Sequence, residues 1–322
     1  MRVLHVTNNY PTENFPIFGI FVKEQIDSLS ALGIDNNVFF INSREKGRKE
    51  YFYGYLKLIW HLSAHKYDLI HCHHSFSGAI FVATLFPLFT KCIVSFQNDP
   101  SREFNGRLFN ICHLLFDKII LKNNSEFYMK YRKCIYLPNG VDVDFFTPKD
   151  KNECLKVTNL DASKKYLLFL DSHNRRTQKR IDRFEEVIKI LRNKYHHFEV
   201  EPLVLTNTKR ELIPYYISIS AMHLLTSDFE GSPNSVKECL ACNTPVVSTP
   251  VGNVVDLMGD IEGCYISRSF DPEELAQLVV LALNNPDFKG REKLIAKKLD
   301  IKSVSVKLHD LYINLTSKVN EN

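Results

Sequence analysis

Short runs rich in Val, Ile, Leu and Phe alternate along this chain with longer stretches in which apolar residues recur every three or four positions. The short runs read as strands buried on both faces and the longer ones as amphipathic helices, an alternation that predicts βαβ units and parallel sheets. The fold class is α/β. In the first half, strands are expected near Val3 to Thr7, Val38 to Ile41, Leu69 to Cys72, Ile93 to Phe96, Ile119 to Leu121 and Ile135 to Leu137. A helix opening near Ile20 has Val22, Ile26 and Leu29 at helical spacing and stops at Gly33. In the second half, strands are expected near Leu167 to Leu170, Val200 to Leu205, His223 to Leu225 and Pro245 to Val247. Helices are expected over Arg183 to Leu191, Arg210 to Ser220, Ser235 to Ala241 and Pro272 to Leu283. Between the halves, residues 147–153 are polar, contain Pro148 and have no period. They divide the chain into two doubly wound domains, 1–148 and 149–322, with the last helix able to pack back on the first.

Length supports the division, since 322 residues exceed what one hydrophobic core covers. A hydrophobic fraction of 44% and a charged fraction of 24% exclude a disordered chain. A net charge of +4 is too small for a nucleic-acid binder but suits a phosphorylated ligand or an anionic surface. The eight cysteines lie mostly inside apolar runs, as expected of a reduced compartment. The opening residues form a strand pattern without the apolar core of a secretory signal. The longest apolar stretch, Gly78 to Phe89, falls short of the roughly 20 residues that cross a bilayer. A cytoplasmic protein is expected, with a peripheral contact on the inner face of the membrane as an option.

The richest chemistry lies in Asp228 to Glu238, after one strand and at the start of a helix, where open parallel sheets bind ligands. Ser232 is suited to cap that helix and Pro233 to its first turn, leaving the N–H groups of Asn234, Ser235 and Val236 turned towards a phosphate beside Gly231. Glu230 and Glu238 bracket the turn and suit sugar or ribose hydroxyls. Ser235 to Glu238 also matches a capping box, a purely structural role for the same glutamate. A second cluster, Asn174 to Arg180, follows another strand; Arg175, Arg176, Lys179 and Arg180 there suit a diphosphate, or else form a solvated basic loop.

Together these stretches resemble the retaining glycosyltransferases of family 4. Glu230 and Glu238 are similar to the family's E-x7-E motif, which continues through Cys239 to Ser248 and Val251-Gly252. Leu137 to Asp142 resembles its interdomain segment, and Tyr10-Pro11 with Gly19 to Gln25 the acceptor-side opening of members that build bacterial cell-surface polysaccharides. The resemblance implies a GT-B fold of two facing Rossmann-like domains with a cleft between them. It implies transfer of a sugar from a UDP-, GDP-, ADP- or TDP-linked donor to a saccharide or lipid-linked acceptor, with retention; no metal cofactor is expected, because no acidic cluster sits at the diphosphate site and cations of the chain can neutralise the charge. Arg176 and Lys179 would hold the diphosphate, Glu238 the ribose and Glu230 the transferred sugar, with Gly19, Gln97 and Asp99 on the acceptor side. The chain departs from the pattern at Asn174, where many members have the arginine. It has Gly19 alone in place of a glycine pair, and Gln97 where many members have a histidine. An epimerase or hydrolase on the same fold, or a binding subunit without transfer, remain alternatives.

Four further signals carry less. Asp142-Val143-Asp144 has a metal-binding form but lies away from both strand-end clusters. His71, Cys72, His73 and His74 alternate across a strand and cannot all face one ion. Cys239 and Cys242 form a lone C-x-x-C inside a helix, as structural thiols do. Arg44 to Lys49, followed by the aromatic run Tyr51 to Leu56, suits either a membrane interface or a surface loop leading into a core helix.

Overall fold

The computed structural model describes residues 1–103, 106–171, 177–196, 199–284 and 288–317. The chain forms two compact units, one of residues 1–140 with 301–322 and the other of residues 141–300. The polar stretch 147–153 stands inside the second unit, where Asp150 caps the helix Lys151–Thr158.

In the first unit six strands, β1 (Arg2–Thr7), β2 (Asp35–Phe40), β3 (Leu69–His73), β4 (Cys92–Phe96), β5 (Lys118–Leu121) and β6 (Cys134–Tyr136), pair in the order β2-β1-β3-β4-β5-β6. Every pairing is parallel. Because successive side chains alternate, each strand feeds two cores. Leu4, Val6, Cys72, Val94 and Leu121 meet Leu58, Phe81 and Phe109 from three helices, Lys49–Ala64, Ser75–Ala83 and Arg107–Leu115. Val3, Leu69, Ile93 and Ile120 meet Leu29 of the helix Ile20–Ala31 and Val304, Leu308 and Tyr312 of the helix Ile301–Ser317. That last helix therefore shares the cover of one face of the first sheet with the helix Ile20–Ala31.

The second unit has β7 (Lys165–Asp171), β8 (Val200–Thr206), β9 (Met222–Leu225), β10 (Val246–Ser248) and β11 (Tyr265–Ile266), in the order β11-β10-β9-β7-β8. All are parallel. Leu167, Phe169, Leu224 and Val247 pack on the helices Ile181–Lys194 and Pro272–Leu283, while Leu168, Leu225 and Val246 pack on Val236 and Leu240 of the helix Asn234–Ala241. The strand order reverses between β7 and β9, so a crevice opens beyond their carboxyl ends, at Asp171 and Leu225.

The expected elements need three corrections. β2 begins at Asp35, three residues earlier than its apolar run, because an edge strand tolerates Asp35-Asn36-Asn37. The stretch Arg210 to Ser220 divides into a 3₁₀ turn, Arg210–Leu212, and a helix, Ile213–Ile219, with Pro214 in the helix's first turn, where its missing N–H costs nothing. The strand expected from Pro245 starts one residue later, leaving the Pro245 carbonyl to accept from His223 N–H.

Candidate functional site

The loop after β9 is held in place by the turn that follows β7. Thr226 Oγ1 donates to the carbonyls of Lys179 and Arg180 at 2.9 and 3.0 Å, and Asp228 N–H donates to Gln178 O at 2.9 Å. Arg183 closes the other side, donating to Thr226 O at 2.5 Å and to Asp228 Oδ1 at 2.8 Å; Arg180 also reaches Asp228, at 3.0 Å. These contacts bring Lys179 Nζ to 2.6 Å from Glu230 Oε1, with side chains only 6% and 12% exposed. The same oxygen accepts from Ser227 Oγ at 2.8 Å. A buried ion pair gives little net stability but holds two full charges at fixed positions.

Glu230 leads into Gly231, which Gly252 approaches from the loop after β10. Gly252 has φ +56°, and a Cβ there would stand 2.4 Å from Gly231 O and 2.9 Å from Glu230 O. Asn253 N–H donates to Gly231 O at 3.1 Å. The helix Asn234–Ala241 then starts with Pro233 in the capping position, one residue later than a cap at Ser232 would start it, and without a side-chain cap. Neither serine caps it. Ser232 Oγ accepts from Lys237 Nζ at 3.0 Å, and Ser235 Oγ lies 3.1 Å from His223 Nε2. His223 Nδ1 faces Leu168 O at 2.9 Å, so that nitrogen carries the proton and Ser235 donates to the other. Burial lowers His223 to about 4, which keeps it neutral. The capping box is therefore not formed, and among the described residues no side chain caps the first turn with its N–H groups of Asn234, Ser235 and Val236. Asn234 Oδ1 is buried with no hydrogen-bond partner among the described residues.

Glu238, one turn further, lies 3.5 Å from Arg210 Nη1. The Arg210 guanidinium stands over the rings of Phe145 and Phe146, at 5.5 and 5.0 Å, which fixes its plane. Sequence reasoning missed Arg210; the available signal was a basic pair, Lys209-Arg210, directly after a strand. Arg175 and Arg176, with Asn174, fall outside the described residues. Lys179, Glu230, the turn from Gly231 to Val236 and Glu238 thus occur on neighbouring strand ends of one sheet.

Gly19, Gln97 and Asp99 belong to the first unit. Gly19 (φ +69°) begins the helix Ile20–Ala31 so close to the loop after β1 that a Cβ would collide with the Asn9 backbone. Gln97 Oε1 accepts from Asn139 Nδ2 at 3.3 Å, and Asp99 accepts from Ser101 N–H at 2.8 Å and Asn123 Nδ2 at 3.2 Å. Beside them Glu103, which the sequence did not single out, has its carboxyl pushed up to about 7, first by burial and then by Asp99.

The histidines of β3 separate as alternation requires. Cys72 enters one core, His74 caps the next helix, and His71 and His73 share the opposite face. The parallel register sets His5 of β1 beside His71, and with His73 the three bring ring nitrogens within 4.8 Å of one another. This is the one group with metal-ligand spacing among the described residues. Its nitrogens are engaged in a hydrogen-bonded layer. His5 bonds His73 and Asn36, both at 2.8 Å, and His71 bonds Tyr312 OH at 2.5 Å and Ser95 Oγ at 2.8 Å. Asp142 Oδ1 accepts from the N–H groups of Asp144 and Phe145, so that pair closes a turn. Cys239 and Cys242 are buried thiols, the second pushed up to about 12 by burial.

Residues 196–299 match the family model described as glycosyl transferases group 1. No curated protein matches the chain closely enough to count as a relative. Among solved structures, the chain is similar to the sucrose-phosphate synthase of Thermosynechococcus elongatus (TM-score 0.78, 14% identity, covering 99% of this chain and 100% of that one). It is also similar to Alr3699/HepE of Anabaena in complex with UDP-glucose (0.63, 14%, 100% and 98%). A third is the catalytic domain of starch synthase IV from Arabidopsis thaliana bound to ADP and acarbose (0.69, 12%, 98% and 99%). The fold is the two-domain, Rossmann-like GT-B fold. With the family match, it supports a glycosyltransferase.

Proposed function

We propose that this chain transfers a sugar from a nucleoside diphosphate to a saccharide or lipid-linked acceptor, with retention, as a step in cell-envelope polysaccharide synthesis. The observation that carries the reading is the buried Lys179–Glu230 pair beside the uncapped first turn of the helix Asn234–Ala241. The diphosphate lies on the N–H groups of that turn and against Lys179, where backbone donors and a fixed cation meet its charge. As it claims Lys179, Glu230 is released to accept from hydroxyls of the transferred sugar, and Glu238 accepts from the ribose. The acceptor hydroxyl attacks from the face that the diphosphate leaves; the anomeric carbon–oxygen bond breaks and the acceptor proton passes to a phosphate oxygen. Cations already in place stabilise the leaving group, the kind of preorganised electrostatics usually worth most to catalysis. Added Mg²⁺ or Mn²⁺ is not needed at this site, because the chain supplies the positive charge.

A thermal-shift screen against UDP-, GDP-, ADP- and TDP-sugars tests the reading. A donor at 100 times its dissociation constant stabilises the fold by about 2.7 kcal/mol. Product analysis then separates the classes: a lengthened saccharide means transfer, an isomeric nucleotide sugar epimerisation, and neither a binding subunit. No stabilisation by any nucleotide sugar defeats the proposal.

A further inference from the structure

The helix Lys49–Ala64 is apolar on both sides. Gly54, Leu58 and Leu62 face the core, as the inner stripe of a surface helix should. Its outer stripe repeats the same spacing with Phe52, Tyr53, Leu56 and Trp60, which are 63%, 51%, 47% and 72% exposed. A face turned to water alone would be polar there. A second apolar segment lies alongside, because Tyr55 OH donates to Ala83 O at 3.5 Å, just before Leu85, Leu88 and Phe89. These three are 64%, 61% and 83% exposed. Leu85 takes the left-handed conformation, φ +65°, which a leucine adopts only at a cost, and its side chain remains largely in solvent.

The charges around the patch are mostly positive. Residues 42–64 contain Arg44, Lys46, Arg48, Lys49 and Lys57 against Glu45 and Glu50. Both carboxylates are engaged: Glu45 accepts from Thr12, Asn14 and Asn42, and the buried Glu50 pairs with Lys57 at 3.4 Å. Exposed aromatics and leucines bordered by cations match the layered chemistry of an anionic bilayer surface, where aromatic rings sit at the headgroup level and Lys or Arg at the phosphates. No helix among the described residues is long and apolar enough to cross a membrane, so the contact is peripheral.

We infer that the face formed by the helix Lys49–Ala64 and the segment Leu85–Phe89 docks the first unit onto an anionic lipid bilayer. The inference does not depend on the transferase reading.

Trp60 is the chain's only tryptophan, so intrinsic fluorescence reports directly on this face. The full chain is titrated with vesicles of phosphatidylglycerol mixed with phosphatidylcholine, and with phosphatidylcholine alone, alongside co-sedimentation. The expected result is a blue shift of Trp60 emission and co-sedimentation with the anionic vesicles, both weakened by salt. The exposed pair Leu88→Ser and Phe89→Ser, which leaves the core intact, should weaken vesicle binding at least tenfold. The same variant should keep wild-type turnover on a water-soluble acceptor, so that failed docking and failed transfer are told apart. Emission unchanged by anionic vesicles, with the protein left in the supernatant, overturns the inference. So does vesicle binding that the double variant leaves intact. A concentration-dependent blue shift without lipid, accompanied by dimers in sedimentation velocity, overturns it in favour of a second copy of the chain.

Discussion

Lys179 and Glu230 form an ion pair whose partners are to separate when a diphosphate arrives, and this makes their variants informative in different ways. Lys179→Ala removes charge from oxygens that become more negative as the sugar leaves, so turnover should fall by roughly 10² to 10³ with a smaller change in donor binding. It also leaves the carboxylate of the largely buried Glu230 without its paired cation, so circular dichroism must show a folded variant before the kinetics are read. Glu230→Gln keeps the volume and an acceptor oxygen but relaxes the hold on the moving sugar, and should lower kcat while loosening donor choice. Glu238→Gln weakens a ribose contact that changes little during reaction, and should chiefly raise the donor KM. Arg210→Gln should resemble it, because Arg210 pairs with Glu238 at 3.5 Å and its loss frees that carboxylate to turn. Steady-state kinetics on the four variants decide the matter. If Lys179→Ala turned over like wild type, the turn after β7 would be a surface loop that happens to pair with Glu230.

Elements were legible in the sequence wherever burial on both faces left an uninterrupted apolar run, as in β1, β3, β4 and β9. They were less so where an edge position relaxed that demand, as at Asp35 in β2, or where a strand spans two residues, as in β11. The site was legible as stretches but not as contacts. Strand-end position marked the loops around Glu230 and Lys179, yet their pairing depends on the β7–β9 adjacency, and that of Arg210 with Glu238 on β8 lying outside β7. His5 joined His71 and His73 for the same reason, through a register that no local pattern encodes. Gly252 shows how tightly one element fixes another. Alanine there must adopt a left-handed backbone, which costs about 1–2 kcal/mol, and its Cβ would also meet backbone rather than a side chain able to move. Gly252→Ala should therefore lower the melting temperature by several degrees, at about 2–4 °C per kcal/mol for a unit of this size, and raise the donor KM by displacing Gly231. A variant with wild-type melting and wild-type KM would mean that the loop after β10 does not position the loop after β9.

At the scale of the whole molecule, both units bury neutral imidazoles, and this ties their stability to pH in the same direction. Burial lowers His5, His74 and His223 from 6.5 to about 4 and holds His71 and His73 well below 6.5. The denatured chain takes up protons at these positions near pH 6.5, whereas the native chain does so only near 4 at His5, His74 and His223 and well below 6.5 at His71 and His73. The imidazoles' contribution to stability is thus complete above about 6.5 and is lost as pH falls towards about 4, by up to about 1.4 kcal/mol per pH unit for each differing proton. Glu103 acts in the opposite sense. Its folded value near 7 lies above the ordinary 4.5, so the native chain holds a proton that the denatured one has released, and stability falls as pH rises through that interval. Four of the five histidines share the first unit with Glu103, and His223 stands in the second with no such counterweight described. The imidazoles should prevail in both units. Urea unfolding followed at several pH values from about 7.5 down to 4.5 should show midpoints that fall steadily below about 6.5, and Glu103→Gln should leave that acid limb in place while removing the loss towards neutral pH. A midpoint that held level from 6.5 to 4.5 would mean that these histidines reach solvent and that the polar layer of His5, His71 and His73 does not persist in solution.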